Sequence, residues 1–281
     1  MQIVNLDYTK YLSVLAYGKP GSGKTHFLGT ACDDDRSYPV LHVDVSGNPE
    51  TLANRRDSTS PRKLGRVPYV VRLQKLSELN VIFDWFDKGQ PDSHPMVAKG
   101  CTPGYKTLIF DGVTAIQRQS FNVVLGQDLQ PGDVPLKPEW PTYAAVLRQM
   151  LVIASCFLQQ LRNRNIHVLV SCLEHTDIRY TSPGIAATAY QYTEPGLQGQ
   201  AVTELPGEAL AVLRLCNRAA AQIEVIKAPE MRNAYTIAQL RENRFVYAKD
   251  QHHLGGISIG DSIYMGDPTV PKLLDAIGAQ A

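Results

Sequence analysis

The chain has 281 residues, 44% hydrophobic and 20% charged, a balance that excludes a chain disordered throughout. Lysine and arginine number 28 against 27 aspartate and glutamate, for a net charge of +1, so any nucleic-acid site must be a local patch rather than a charge-coated surface. Five cysteines, at 32, 101, 156, 172 and 216, are odd in number and form no CxxC pair, which fits neither a disulfide scaffold nor a zinc site.

The first ten residues carry Asp7 and Lys10 and no apolar core, so no signal peptide is expected. No uninterrupted apolar run approaches the ~18 residues of a membrane span, and a cytoplasmic protein is expected. Residues 11–17 (YLSVLAY) read as a strand closed by glycine and proline, and 24–32 as a short helix. Residues 39–45 (PVLHVDV) and 67–73 read as the next strands, and 77–87 as an amphipathic helix. Residues 107–110 predict a short buried strand. Over 142–162, Val146, Leu147, Met150, Leu151, Ala154, Phe157, Leu158 and Leu161 recur at helical steps, and 166–173 (IHVLVSCL) is another buried strand. Shorter strands are predicted at 212–215, 223–227, 235–240 and 245–249. Two stretches read as loops: 126–141, with four prolines, and about thirty weakly periodic residues over 177–207. Strands alternating with helices predict an α/β fold: a mainly parallel sheet flanked by helices, with antiparallel strands added at the C-terminal end.

Residues 18–25 read GKPGSGKT, a full G-x-x-x-x-G-K-[ST] pattern between a predicted strand and a predicted helix. The glycines let consecutive backbone N–H groups curve around phosphate oxygens without Cβ clashes, and the helix start adds partial positive charge. Gly18, Lys19, Pro20, Gly21, Ser22, Gly23, Lys24, Thr25 and His26 are therefore the candidate nucleotide-binding residues. Lys24 would reach the β- and γ-phosphates and the Thr25 hydroxyl would ligate Mg²⁺. Asp111, closing the apolar strand LIFD at 108–111, is the candidate second metal residue; an aspartate capping the next helix is the plain alternative. Asp44–Gly47 fits D-x-x-G, but only about twenty residues separate it from the phosphate loop and no NKxD guanine reader is present; AKDQ at 248–251 is a near miss. A GTPase is disfavoured.

The order of these pieces is familiar: GKPGSGKT, then VLHVDVSG, LIFDGVT, a long helix, IHVLVSCLEH, PGLQGQAVTELPGEALAVLRL and finally FVYAKD. Over residues 11–255 the chain resembles the phage-encoded RecA-like P-loop ATPases of the single-strand-annealing (Sak-type) group. That resemblance implies a RecA-like core binding ATP and Mg²⁺ between protomers of a ring or filament. It further implies single-stranded DNA as partner, a single-strand-binding protein as a further one, and a role in phage recombination, annealing or replication. One domain over 1–281 is expected, with a C-terminal extension at 256–281. By position, Ser171 and Cys172 would be the sensor that couples nucleotide to DNA, and Lys249 would act on a neighbour's γ-phosphate.

Departures from the group's pattern matter. Ser46 stands where a glutamate polarising the attacking water is usual, and serine is no carboxylate base at neutral pH. Glu50 and Glu174 are the candidates to replace it, and hydrolysis is expected to be slow. The sensor lacks the usual Gln or Asn, Gly112 stands for the group's Ser, and Gln251 for a basic residue.

Candidate DNA contacts fall in two places. Residues 55–75 carry Arg55, Arg56, Arg62, Lys63, Arg66, Arg72 and Lys75 against Asp57 alone, a local charge of +6 that would make binding salt-dependent. Arg179, Tyr180, Tyr190 and Tyr192 follow the 166–173 strand, where stacking on bases is plausible chemistry. A solvated loop and core-packed tyrosines are the plain alternatives. Three functions stay open: a DNA-stimulated ATPase, a nucleotide-gated DNA- or protein-binding module with little hydrolysis, and a small-molecule P-loop kinase.

Overall fold

The computed structural model describes residues 11–45, 66–128, 133–134, 136–180, 189–217, 236–240, 264–266 and 269–276. Among the described residues nine strands form, in chain order: β1 (Ser13–Gly18), β2 (Val40–Asp44), β3 (Tyr69–Arg72), β4 (Thr107–Asp111), β5 (His167–Tyr180), β6 (Ala189–Pro195), β7 (Ala211–Asn217), β8 (Thr236–Leu240) and β9 (Tyr264–Gly266). The helices are α1 (Lys24–Gly29), α2 (Glu78–Asp87), α3 (Pro95–Ala98), α4 (Val113–Val124), α5 (Trp140–Ala154), α6 (Leu161–Asn163), α7 (Ala201–Glu208) and α8 (Val270–Ala276). The strand order is β3-β2-β4-β5-β1-β7-β8-β9, with β6 paired to the far half of β5. Every pairing from β3 to β7 along this path is parallel, and β8 and β9 close the edge antiparallel. The α/β architecture expected from the sequence is the one observed.

Both faces of the central strands are buried, so their sequences are nearly continuous apolar runs whose alternate residues serve opposite layers. Leu15, Tyr17, Leu41, Val43, Phe110, Val168 and Val170 face a core filled by Leu79, Ile82, Trp85, Phe86, Ile116, Phe121, Met150 and Phe157. Val14, Ala16, Val40, Ile109, Leu169 and Leu213 face Phe27, Leu28, Leu273 and Leu274. Asp111 and Ser171, two residues beyond Ile109 and Leu169 on their strands, share this second face and therefore meet α1 at the C-terminal edge of the sheet.

Three local features differ from the sequence reading. Helix α4 was not expected, because buried Gln117 and Ser120 interrupt the stripe of Val113, Ile116 and Phe121. The helix expected over 142–162 starts at Trp140 and passes through a π turn at Ser155–Gln160 before α6. Within 177–207, where a loop is expected, the described residues form regular structure: β5 runs on to Tyr180, β6 pairs antiparallel with it, and α7 follows. Thr, Ile and Tyr in those strands have the β propensity that weak hydrophobic alternation conceals. The strands expected at 223–227 and 245–249 lie outside the described residues.

The helical stretch Trp140–Asn163, 24 residues, is long and apolar enough to cross a membrane by length and composition alone, which the uninterrupted-run criterion overlooks. Here Val146, Met150, Ala154, Phe157, Leu158 and Leu161 pack it into the core, while Trp140 and Val152 face solvent.

His167, at the start of β5, is buried, and its Nδ1 accepts the Leu12 backbone N–H at 2.9 Å. Burial pulls its pKa from the usual 6.5 down to about 4. The unfolded chain therefore binds this proton first as pH falls. The stabilisation is complete above pH 6.5 and lost through pH 4, for a total of roughly 3 kcal/mol. Urea midpoints at pH 7, 5.5 and 4.5 test this: His167→Gln, which keeps an acceptor for Leu12 but does not titrate, should flatten that part of the pH dependence.

Candidate nucleotide site

β1 ends at Gly18, where a Cβ would lie 2.5 Å from both the Leu215 carbonyl oxygen and Ser22 Oγ. The chain then turns through Gly21 (φ 76°) and Gly23 (φ 89°), left-handed positions that suit glycine, and enters α1 at Lys24. Lys24 folds back over this turn. Its Nζ donates to the carbonyls of Gly18 at 2.8 Å and Lys19 at 2.9 Å. Burial lowers the Lys24 pKa, against the opposing pull of Asp111, Cys172 and Glu174. Ser22 Oγ is buried with no hydrogen-bond partner among the described residues. His26 faces solvent.

Behind the loop, Asp111 ends β4 and gathers three elements. Thr25 Oγ1 of α1 donates to its Oδ2 at 2.6 Å, and Ser171 Oγ of β5 donates to its Oδ1. Asp44 stands beside Asp111 in the β2–β4 register, with Arg72 Nε 3.6 Å from its Oδ2. The loop, Lys24, Thr25, Asp111 and Ser171 are thus brought to one place. Cys172 points to the opposite face, where its Sγ lies 3.3 Å from Thr114 Oγ1. Burial raises the Cys172 thiol to about 11, so it stays protonated at neutral pH.

Glu174 sits close by but is engaged. Arg214 of β7 grips it with two bonds, Nε to Oε2 at 3.0 Å and Nη2 to Oε1 at 3.1 Å, and the carboxylate side chain is 2% exposed. Arg66 is placed at the other end of the sheet, ahead of β3. There it pairs with Asp35 at 2.5 Å and lies 4.8 Å over the Tyr38 ring. In the β5–β6 ladder Arg179 stands opposite Tyr190 and Asp177 opposite Tyr192, while Tyr180 pairs with Ala189. Ser46, Glu50, Arg55, Arg56, Arg62, Lys63 and Lys249 lie outside the described residues.

Sequence reasoning missed Arg214 and Thr114. An arginine inside the apolar strand AVLRLCN was the available signal for the first. Thr114 follows Asp111 by three residues, and its Oγ1 accepts Leu173 N–H at 3.1 Å and approaches the Gly196 carbonyl at 3.3 Å. Nearby, Gln117 and Gln198 exchange two bonds, 3.1 and 2.8 Å, so α4 fixes the segment after β6. No signal in the spacing identified these polar residues.

The residues fit a bound nucleotide with Mg²⁺. The glycine turn leaves no Cβ at Gly21 or Gly23, Ser22 Oγ has bonding capacity to spare, and Lys24 holds a cation at the turn. Thr25 and Asp111 supply the hard oxygen donors that Mg²⁺ prefers. A glycine turn between a central parallel strand and a helix, with an aspartate ending a strand one place removed in the same sheet, defines the P-loop NTPase class. Residues 10–252 match the AAA domain family, and the chain belongs to it. No curated protein matches the chain. Among solved structures it is similar to the RadB recombinase, with 16% identity over 83% of this chain and 82% of that one and a TM-score of 0.41.

The Arg214–Glu174 pair yields a stability prediction. Arg214→Leu leaves a buried carboxylate without its bidentate partner and should cost about 3 kcal/mol in urea unfolding. Adding Glu174→Leu should recover most of that loss, because the pair then leaves together.

Proposed function

We propose that this protein is an ATP- and Mg²⁺-dependent RecA-like ATPase that binds single-stranded DNA, assembles with itself, and acts in DNA recombination, annealing or replication. The observation that carries the nucleotide part is the meeting of the Lys24 ammonium, the glycine turn and the Thr25–Asp111–Ser171 chain at one strand edge. In this reading Lys24 leaves the carbonyls of Gly18 and Lys19 for phosphate oxygens and stabilises charge developing on the transferred group. Thr25 and Asp111 hold Mg²⁺, which neutralises phosphate charge when bound. Membership in the AAA domain family supports ATP as the nucleotide.

The DNA part rests on sequence chemistry: the basic run at 55–75 and the Arg179, Tyr180, Tyr190 and Tyr192 set on the β5–β6 hairpin. Apolar side chains left exposed around the end of α4 and the start of α5, Val123, Val124, Leu136 and Trp140, favour self-association.

A second reading is favoured by a specific observation. Glu174, one of the two carboxylates proposed to replace a base at Ser46, is bound bidentately by Arg214. A protein whose carboxylate is held this way would use ATP as a gate for binding, with little turnover.

Phosphate release from ATP, with and without single-stranded DNA, tests the proposal. Wild-type turnover should rise with DNA, and Lys24→Ala should lower it by about 100-fold or more. Full DNA annealing supported by a non-hydrolysable ATP analogue, with no phosphate released, would replace the ATPase with the gated module.

A further inference from the structure

His42 lies in β2 two residues before Asp44, inside the apolar run VLHVD. It is 1% exposed, and neither ring nitrogen has a hydrogen-bond partner among the described residues. Burying an imidazole without a partner is unfavourable, and an apolar side chain of similar size would avoid that cost. The β2–β4 register sets His42 beside Ile109, on the same face of the sheet as Asp44 and Asp111. Its Nε2 lies 3.9 Å from Asp111 Oδ2, the oxygen to which Thr25 donates. That separation is too long for a direct hydrogen bond and short enough to close by a small turn of the carboxylate or through one shared water. Ser171 already fixes the other carboxylate oxygen from β5. A carboxylate has about four acceptor sites, so Oδ2 keeps capacity after Thr25 has bonded.

We propose that His42 is a positioning residue for Asp111: its Nε2–H holds Oδ2 from the strand side, as Ser171 holds Oδ1, and so fixes the carboxylate orientation toward Mg²⁺. The inference rests on the nucleotide–Mg²⁺ reading of the site. It requires the Nε2–H tautomer of a neutral ring, which burial favours over the charged form despite nearby Asp111 and Asp44. Residues that orient a metal-binding carboxylate from behind typically change metal affinity 10–100-fold when removed. His42 makes no contact with the phosphate loop in this scheme, so nucleotide affinity without metal should not depend on it.

The test is a titration of Mn²⁺, followed by electron paramagnetic resonance, into protein saturated with a non-hydrolysable ATP analogue. Analogue affinity is measured separately in EDTA. His42→Leu should weaken Mn²⁺ binding about tenfold or more, leave analogue affinity in EDTA unchanged, and His42→Gln, which keeps a donor, should recover part of the loss. Mn²⁺ affinity within twofold of wild type in His42→Leu, with a raised melting temperature, would overturn the proposal and leave His42 a buried core residue. ¹⁵N NMR of the wild-type histidine rings needs no variant to fold: an Nε2–H whose solvent exchange slows when metal and analogue are added is expected, and an Nδ1–H tautomer throughout overturns the proposal. Failure of wild-type protein to bind the analogue at all would instead reject the nucleotide reading beneath it.

Discussion

One carboxylate organises the edge of this sheet. Asp111 accepts hydrogen bonds from the hydroxyls of Thr25, on the helix after the phosphate loop, and of Ser171, on the strand beside its own. Hydrogen bonds to a charged acceptor are among the stronger ones, and these two sit where the strand edge meets α1. They join the loop to β4 and β5, so the position of Lys24 follows from the sheet. The parallel register fixes the other parameter: β1 lies between β5 and β7, which carries the loop to the middle of the sheet and places Glu174 and Arg214 on either side of it.

That arrangement divides the polar residues by strand parity. Asp111, Ser171 and His42 alternate with core residues and look toward α1, while Cys172 looks the other way, toward Thr114. Neighbours in sequence such as Ser171 and Cys172 therefore serve different layers. Ser171 is hydrogen-bonded to Asp111, and Cys172 meets Thr114 on the helix that follows Asp111. Thr114 and Gln117 then connect α4 to the backbone at Leu173, Gly196 and Gln198. A physical link thus runs from the strand edge carrying Asp111, through α4, to the base of the β5–β6 hairpin.

Most of the architecture was legible in the chain because the strands are apolar on both faces and the helices carry clear periodicity. PVLHVDV and IHVLVSCL could only be buried strands, and GKPGSGKT carries its own chemistry. The pairing of Thr25 with Asp111 was legible from motif order, since the pattern demands both. What stayed hidden depends on contacts between distant residues. Helix α4 was masked by Gln117 and Ser120, whose burial is made favourable by partners or packing found only in the folded chain, Gln198 and Met150. The grip of Arg214 on Glu174 spans 40 positions in sequence, and only the β5–β1–β7 order brings the two together. Glu174 looked like a candidate base because a carboxylate at a strand end is one chemically; its partner was not readable from local pattern.

In the proposed function, the Lys24 ammonium now bonded to the carbonyls of its own loop is the group that turns to a phosphate. A structure determined with Mg²⁺ and a non-hydrolysable ATP analogue tests it most directly. Phosphate oxygens are expected within the Gly18–Thr25 turn, with Lys24 Nζ withdrawn from the Gly18 and Lys19 carbonyls it now meets at 2.8 and 2.9 Å and in contact with phosphate. An analogue bound elsewhere, with those two bonds intact, would contradict it.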